Sequence, residues 1–148
     1  MLDTDSDSAV LKNRTTILLA EDDPDDVELI RAGFNAANVP YRLEVVTNGE
    51  EALQYLKHEA PYTDARRYPI PFLLLLDLKM PIRSGFDVLD WIRSRREFDS
   101  LLVVILTGSA LPSDVGKADQ LGTNSYLVKS SDYKQLTLFL KSFAPGES

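Results

Sequence analysis

Two runs of consecutive apolar residues stand out along the chain. Residues 72–76 (Phe-Leu-Leu-Leu-Leu) end abruptly at Asp77, and residues 101–106 end at Thr107. Short apolar runs between turn signals are typical of strands buried on both faces of a parallel sheet. Ligands bind at the carboxyl ends of strands in such sheets, so Asp77 is predicted to lie where chemistry is placed, although a strand-end Asp can also merely cap a loop.

Shorter apolar segments predict three more strands, with helical patterns between them. These strands are residues 15–20, 43–46 and 125–128. The helices are predicted to begin near Pro24, Glu50, Ser84, Pro112 and Ser131. Asp23 and Pro24 suit the N-cap and first position of the first helix, and Asp25 and Asp26 are favourable charges at its positive end. Five successive strand–helix units predict an α/β fold, a doubly wound parallel sheet with helices on both faces.

The remaining segments set the predicted domain limits. Residues 1–13 are acidic and poor in apolar side chains, so we expect a disordered tail, then one domain over 14–144 and a short tail over 145–148. Residues 57–71 form a connection longer than usual, which we expect to be a solvated insertion. The fourth helix contains Gly116 and few apolar anchors, so it is a candidate mobile element.

Composition excludes several classes of function. The chain has 148 residues and no cysteine, which rules out disulfides, thiolate catalysis and cysteine-bound zinc. Its one histidine, His58, cannot build a metal cluster or a serine triad and is expected to be an exposed residue at a helix end. A net charge of −7 argues against a nucleic-acid partner. No apolar run approaches the ~20 residues that span a bilayer, and no signal peptide is visible, so we expect a cytoplasmic protein without a membrane partner.

Right-handed crossovers place the carboxyl ends of all parallel strands at one edge of the sheet. That edge should gather three carboxylates, a hydroxyl and an ammonium, from Glu21, Asp22, Asp77, Thr107 and Lys129. Neighbouring carboxylates repel unless a cation lies among them, and Mg²⁺ accepts such an incomplete shell. An Asp carboxylate can also accept a phosphoryl group, whose transfer chiefly needs charge neutralisation.

Four motifs in order resemble those of response-regulator receiver domains of two-component signalling. They are residues 17–22 (ILLAED), 75–81 (LLDLKMP), 106–110 (LTGSA) and 126–129 (YLVK). Thr107 lies 30 positions after Asp77, and Lys129 lies 22 positions after Thr107. The likeness covers residues 15–143. It implies a flavodoxin-like, CheY-like fold of five (βα) units with strand order 2-1-3-4-5.

The resemblance implies a phosphorylation and metal site. Asp77 matches the phosphoacceptor and a metal ligand, Asp22 a direct ligand, and Glu21 a ligand acting through water. The backbone carbonyl of Lys79 matches the remaining protein ligand. The implied cofactor is Mg²⁺.

Further roles follow from the same resemblance. Thr107 and Lys129 match the hydroxyl and the lysine that contact the phosphoryl group, so with Asp77 they make up the implied reactive set. Thr107 and Tyr126 match the switch residues, although Tyr126 can also be an ordinary strand residue. The side chains of Lys79 and Ser109 occupy positions that tune hydrolysis of the phosphoryl group.

The chain departs from the common family pattern at two places. Ser130 follows Lys129 where the family usually has a proline after a cis peptide, and the geometry of the Lys129–Ser130 bond is left open. The second departure is the long segment before the central strand, which places Asp77 55 positions after Asp22. Some small stand-alone regulators of phytochrome-type histidine kinases resemble the chain in both respects.

The resemblance implies a single-domain response regulator that is not itself an enzyme. A histidine kinase, phytochrome-like by resemblance, would phosphorylate Asp77. No output domain precedes Ser148, so we expect output through protein contacts, including a homodimer through the fourth helix, fifth strand and fifth helix.

Three alternative functions compete with this interpretation. A haloacid-dehalogenase-like phosphatase needs a second Asp two positions after the nucleophile, where this chain has Lys79. A flavodoxin relative needs a phosphate loop after the first strand, which the acidic residues 21–26 do not resemble. A receiver-like binding module that acts without phosphorylation stays open.

Overall fold

Strands and helices alternate along the chain in the computed structural model, which describes residues 15–108, 110–129 and 134–142. The strands are β1 (Thr16–Ala20), β2 (Arg42–Val46), β3 (Leu73–Leu76), β4 (Leu102–Thr107) and β5 (Ser125–Val128). The helices are α1 (Pro24–Ala37), α2 (Gly49–Lys57), α3 (Gly85–Arg93), α4 (Pro112–Gln120) and α5 (Lys134–Lys141), with a 3₁₀ turn at Arg96–Phe98. Several predictions lie outside the described residues: the two tails, the Ser131 cap, Ser109 and the Lys129–Ser130 peptide.

The five strands form one parallel sheet in the order β2-β1-β3-β4-β5. This arrangement confirms the predicted (βα)₅ fold and its strand order. The central strand β3 pairs with β1 on one side and β4 on the other, with Leu76 opposite Ala20 and Ile105. The carboxyl ends of β1, β3 and β4 are therefore aligned at one edge of the sheet.

Helices cover both faces of the sheet, as the apolar runs predicted. Successive side chains of a strand point to opposite faces. Leu73 and Leu75 accordingly pack with α1 and α5, whereas Leu74 and Leu76 pack with α2, α3 and α4. All four leucines are fully buried. Within the described ranges, every helix is too short or too polar to cross a membrane.

Helix α1 begins as its sequence predicts. The Asp23 side chain accepts a hydrogen bond from the backbone N–H of Asp25 at 2.9 Å, and Pro24 occupies the first helical position. The helix buries Ile30 and Phe34 and ends at a left-handed residue with φ 52°. This N-cap fixes where the chain turns after β1, which matters for the acidic residues beside it.

The segment before β3 is largely exposed, as expected of a solvated insertion, and it is also anchored to the core. Most of residues 59–67 are exposed, but Tyr62 and Tyr68 pack on the buried ring of Tyr55, with ring centroids 5.2 and 5.7 Å away. The Tyr55 hydroxyl also donates to the carbonyl of Pro69 at 2.9 Å. His58 ends α2 as predicted but is half-buried, with Nε2 2.9 Å from the Tyr68 carbonyl. The packing of Tyr62 and Tyr68 on Tyr55 explains why the segment is anchored and why His58 is half-buried.

Helix α4 is weakly packed, and its glycine offers a test of local stability. Ala118 is its buried residue, Val115 is 39% exposed, and a Cβ added at Gly116 would meet nothing within 4 Å. Gly116→Ala is therefore expected to raise the free energy of unfolding by about 0.4–1 kcal/mol, because alanine restricts the unfolded chain without a clash. Urea denaturation measures this change. Gly122→Ala is the control: its φ of +97° should make alanine destabilising.

Candidate functional site

Three carboxylates meet at the carboxyl edge of the sheet. Asp77 follows β3 and is 5% exposed, and its backbone N–H donates to the carbonyl of Ala20 at 3.1 Å. Glu21 and Asp22 follow β1, the strand beside β3. One carboxylate oxygen from each of Glu21, Asp22 and Asp77 lies within 4.8 Å of the others. The pairing of β1 with β3 therefore creates the acidic group that the sequence predicted.

The Lys129 ammonium lies among these carboxylates. Its Nζ is 2.5 Å from Oε1 of Glu21 and 3.3 Å from Oδ2 of Asp77. It also donates to Oδ2 of Asp26, at the first turn of α1, over 2.8 Å. The backbone N–H of Lys129 donates to the carbonyl of Thr107 at 2.7 Å, which fixes the lysine beside the end of β4. Only 16% of the lysine side chain is exposed.

Burial and neighbouring charges determine the protonation of this cluster. Burial raises the pKa of Glu21, and the negative charge of Asp77 raises it further, while the close contact with Lys129 lowers it, for a net value of about 7. For Lys129, burial alone would lower the pKa, but its contacts with Asp26, Glu21 and Asp77 outweigh that effect and raise it. The lysine is therefore held in its charged form at neutral pH.

An open pocket gives solvent access to Asp77. It has a volume of about 440 Å³ and is lined by Asp77, Lys79, Thr107, Gly108, Ala110, Leu111 and Lys129. Thr107 ends β4 and is 1% exposed. The backbone N–H of Lys79 donates to Oδ1 of Asp77 at 3.3 Å. A small anionic group could enter this pocket and meet the Asp77 carboxylate and the Lys129 ammonium together.

The acidic group also fits a divalent cation. Hard cations such as Mg²⁺ bind carboxylate oxygens and keep part of their water shell. Asp22 is exposed, while Glu21 is 1% exposed. The buried Oε1 of Glu21 contacts the Lys129 ammonium at 2.5 Å, so the lysine already neutralises this carboxylate. A cation at this site would share the Glu21 carboxylate with the lysine, directly or through water.

Most of the site residues predicted from the sequence lie in or beside one cluster. Glu21, Asp22, Asp77 and Lys129 meet in one cluster, and Thr107 and Lys79 line the adjoining pocket. Tyr126 lies on β5 opposite Ile105, half-buried against the core under α2, α3 and α4. Ser109 lies outside the described residues. The roles assigned to these residues from the resemblance stay predictions.

Two residues at the site were not predicted from the sequence. Asp26 was interpreted only as a favourable charge at a helix N-terminus, yet it contacts Lys129. The available signal was its position in the first helical turn after the acidic strand end. Gly85 follows Ser84, near which the third helix is predicted to begin, yet a Cβ there would lie 2.1 Å from the backbone carbonyl oxygen of Asp77. The available signal was a glycine eight positions after that aspartate.

Sequence comparisons agree with the geometry of the site. Residues 17–141 match the profile of the response regulator receiver domain. The chain is 32% identical over 120 residues to the response regulator Rcp1 of Synechocystis sp., an alignment that covers 81% of this chain and 80% of that protein.

Solved structures extend the comparison to the fold. The phosphorylated cyanobacterial phytochrome response regulator RcpA is 33% identical, with a TM-score of 0.76 over 87% of this chain and 90% of that one. The Mn²⁺-bound form of Rcp1 is 30% identical, with a TM-score of 0.75 over 86% of this chain and 90% of that one. One of these two relatives is phosphorylated and the other is bound to Mn²⁺, on the same fold.

Proposed function

Because the chain belongs to the response regulator receiver family, we propose that it is a two-component switch whose Asp77 accepts a phosphoryl group from a histidine kinase. One observation carries this proposal: the Asp77 carboxylate faces an open pocket with Lys129 Nζ at 3.3 Å and two further carboxylates within reach of a shared cation. This arrangement serves a phosphoryl acceptor, because the incoming group needs charge neutralisation more than an acid or a base.

The transfer step follows from these positions. A carboxylate oxygen of Asp77 attacks the phosphorus, an O–P bond forms, and the P–N bond to the donor imidazole breaks as the imidazole keeps the electron pair. The ammonium of Lys129 pairs with one phosphoryl oxygen, and the hydroxyl of Thr107 donates to another. The protein is a phosphoacceptor in this proposal, with at most slow self-dephosphorylation, tuned by the side chains of Lys79 and Ser109.

Mg²⁺ is the proposed cofactor, held by Asp22, Asp77 and the backbone carbonyl of Lys79, with Glu21 acting through water. When bound, the ion neutralises negative charge on the phosphoryl oxygens. The three carboxylates of Glu21, Asp22 and Asp77, whose oxygens lie within 4.8 Å of one another, support this assignment.

Phosphorylation is proposed to act on the surface of α4, β5 and α5. Thr107 moves toward the phosphoryl group, and Tyr126 follows into the vacated space. The surface carries exposed apolar side chains on each element, Leu111 and Val115 at α4, Val128 on β5 and Leu138 on α5. Such side chains suit a protein contact, and a homodimer through this surface is the proposed output.

The kinase partner and the setting of the protein are also proposals. Similarity to RcpA, a cyanobacterial phytochrome response regulator, supports a phytochrome-like histidine kinase as the phosphodonor. We further propose a cytoplasmic protein with a receiver domain over residues 14–144, flanked by tails at 1–13 and 145–148.

Phosphorylation in solution tests the proposed function directly. The wild type, incubated with Mg²⁺ and acetyl phosphate, is expected to gain one phosphoryl group by intact mass and to elute earlier in gel filtration. Asp77→Asn is expected to gain none, because its amide is not a nucleophile for phosphorus. A wild type that stays unlabelled where another receiver is labelled would contradict the proposal and favour a phosphorylation-independent binding module.

A further inference from the structure

Asp26 contacts the reactive lysine from outside the proposed metal site. Its Oδ2 lies 2.8 Å from Lys129 Nζ, closer than Oδ2 of Asp77 at 3.3 Å. Asp26 is not part of the carboxylate group that could share a cation. Its backbone belongs to the first turn of α1, whereas the other two carboxylates that contact the lysine follow β1 and β3. The lysine is thus bound to a helix as well as to the sheet edge.

We propose that Asp26 is a positioning residue that holds the Lys129 ammonium in place for the phosphoryl group on Asp77. This inference rests on the proposed function. An ammonium has three N–H donors, and three carboxylates contact this one. In the proposed reaction the Asp77 carboxylate becomes an acyl phosphate, and Glu21 acts on the cation through water. Asp26 is the contact that neither event removes, so it keeps the lysine aimed at the pocket throughout.

A neighbouring aspartate separates this role from a general effect of charge. Asp25 lies in the same helical turn, is exposed and makes no ion pair within the described residues. Both aspartates favour the positive end of the α1 dipole, and both repel an anionic phosphodonor. Asp25→Ala therefore removes the same charge without touching Lys129, which makes it the matched control for Asp26→Ala.

Phosphorylation kinetics provide the first test. With Mg²⁺ and acetyl phosphate, Asp26→Ala should lower the maximal labelling rate about tenfold, less than the ~100-fold cost of deleting a charge-stabilising donor outright. The KM for acetyl phosphate should not rise, and labelling should still reach the wild-type stoichiometry. Asp26→Asn, which keeps an acceptor oxygen, should lie between Asp26→Ala and the wild type. Asp25→Ala should label at the wild-type rate.

Other kinetic outcomes would overturn the inference. Equal rates for Asp26→Ala and Asp25→Ala would remove any special role for Asp26. A reduced final stoichiometry at an unchanged rate would mean that the substitution only lowers the folded fraction. In a Lys129→Met background, Asp26→Ala should cause no further slowing, since the lysine on which it acts is gone. A further tenfold loss there would place Asp26 in another role.

A measurement without phosphorylation keeps the inference separate from the proposed function. The Lys129 ammonium should give a ¹H–¹⁵N signal in lysine-labelled protein, protected from exchange by its contacts and assigned by its loss in Lys129→Met. Asp26→Ala should broaden or shift this signal, and Asp25→Ala should not. An unchanged signal in Asp26→Ala would refute the positioning role of Asp26. A wild type that is not phosphorylated would refute the proposed function alone.

Discussion

Replacing Lys129 by methionine is expected to lower the free energy of unfolding by about 3 kcal/mol in metal-free buffer. The ammonium lies within 3.3 Å of three carboxylates, and the Glu21 side chain is almost completely buried. Removing one partner of a buried ion pair is costly because the remaining charge has neither water nor a counter-charge. Urea denaturation with excess chelator measures the loss, and methionine keeps most of the volume of the lysine stem.

Mg²⁺ should recover much of that stability. The lysine and a divalent cation neutralise the same carboxylates, so the ion should bind more tightly when the lysine is gone. A ligand at 100 times its Kd stabilises the folded state by about 2.7 kcal/mol. The urea concentration at the midpoint of unfolding should therefore rise more with Mg²⁺ for Lys129→Met than for the wild type.

An exposed lysine provides the control for this prediction. Lys141→Met, in the last turn of α5, should change the free energy of unfolding by no more than about 0.5 kcal/mol. Equal stability of Lys129→Met and the wild type without metal would show that the carboxylates do not depend on the lysine for neutralisation.

The sheet and its reactive edge were predictable because they follow from patterns within short stretches of chain. Residues 72–76 are apolar without a break after Pro71, and a short run between turn signals is typical of a central strand. The parallel arrangement then determines which strand ends are neighbours. Asp22, Asp77 and Lys129 are far apart in sequence, but each follows a strand, so the edge at which they meet could be predicted.

Contacts that depend on side-chain direction could not be predicted in the same way. Asp26 and Asp25 are adjacent acids with the same helix-end explanation, and only the packing of α1 beside β5 and α5 decides which of them contacts Lys129. The segment over residues 57–71 was also not fully predictable, for the same reason. Tyr62 and Tyr68 lie among polar residues, and only the buried ring of Tyr55 turns them into an anchor.

Replacing Gly85 by alanine is expected to lower the free energy of unfolding by about 3 kcal/mol and to slow phosphorylation of Asp77. The added Cβ would lie 2.1 Å from the carbonyl oxygen of Asp77 and 2.8 Å from Cα of Leu78. Both atoms are backbone, so no rotamer change relieves the overlap. The Gly85 N–H also donates to the Leu78 carbonyl at 2.9 Å, which holds the start of α3 against this loop.

The same clash links the fold to the site, because the chain that must shift carries the phosphoacceptor. Gly116→Ala is the matched exchange: it also adds one methyl group to a helix, but into open space, and should stabilise the protein. Urea denaturation gives the two changes in stability, and the rate of labelling by acetyl phosphate, measured where both variants are folded, reports the position of Asp77. If Gly85→Ala matched the wild type in stability and labelling rate, the loop after β3 would have room to move, and the close approach of α3 would not position Asp77.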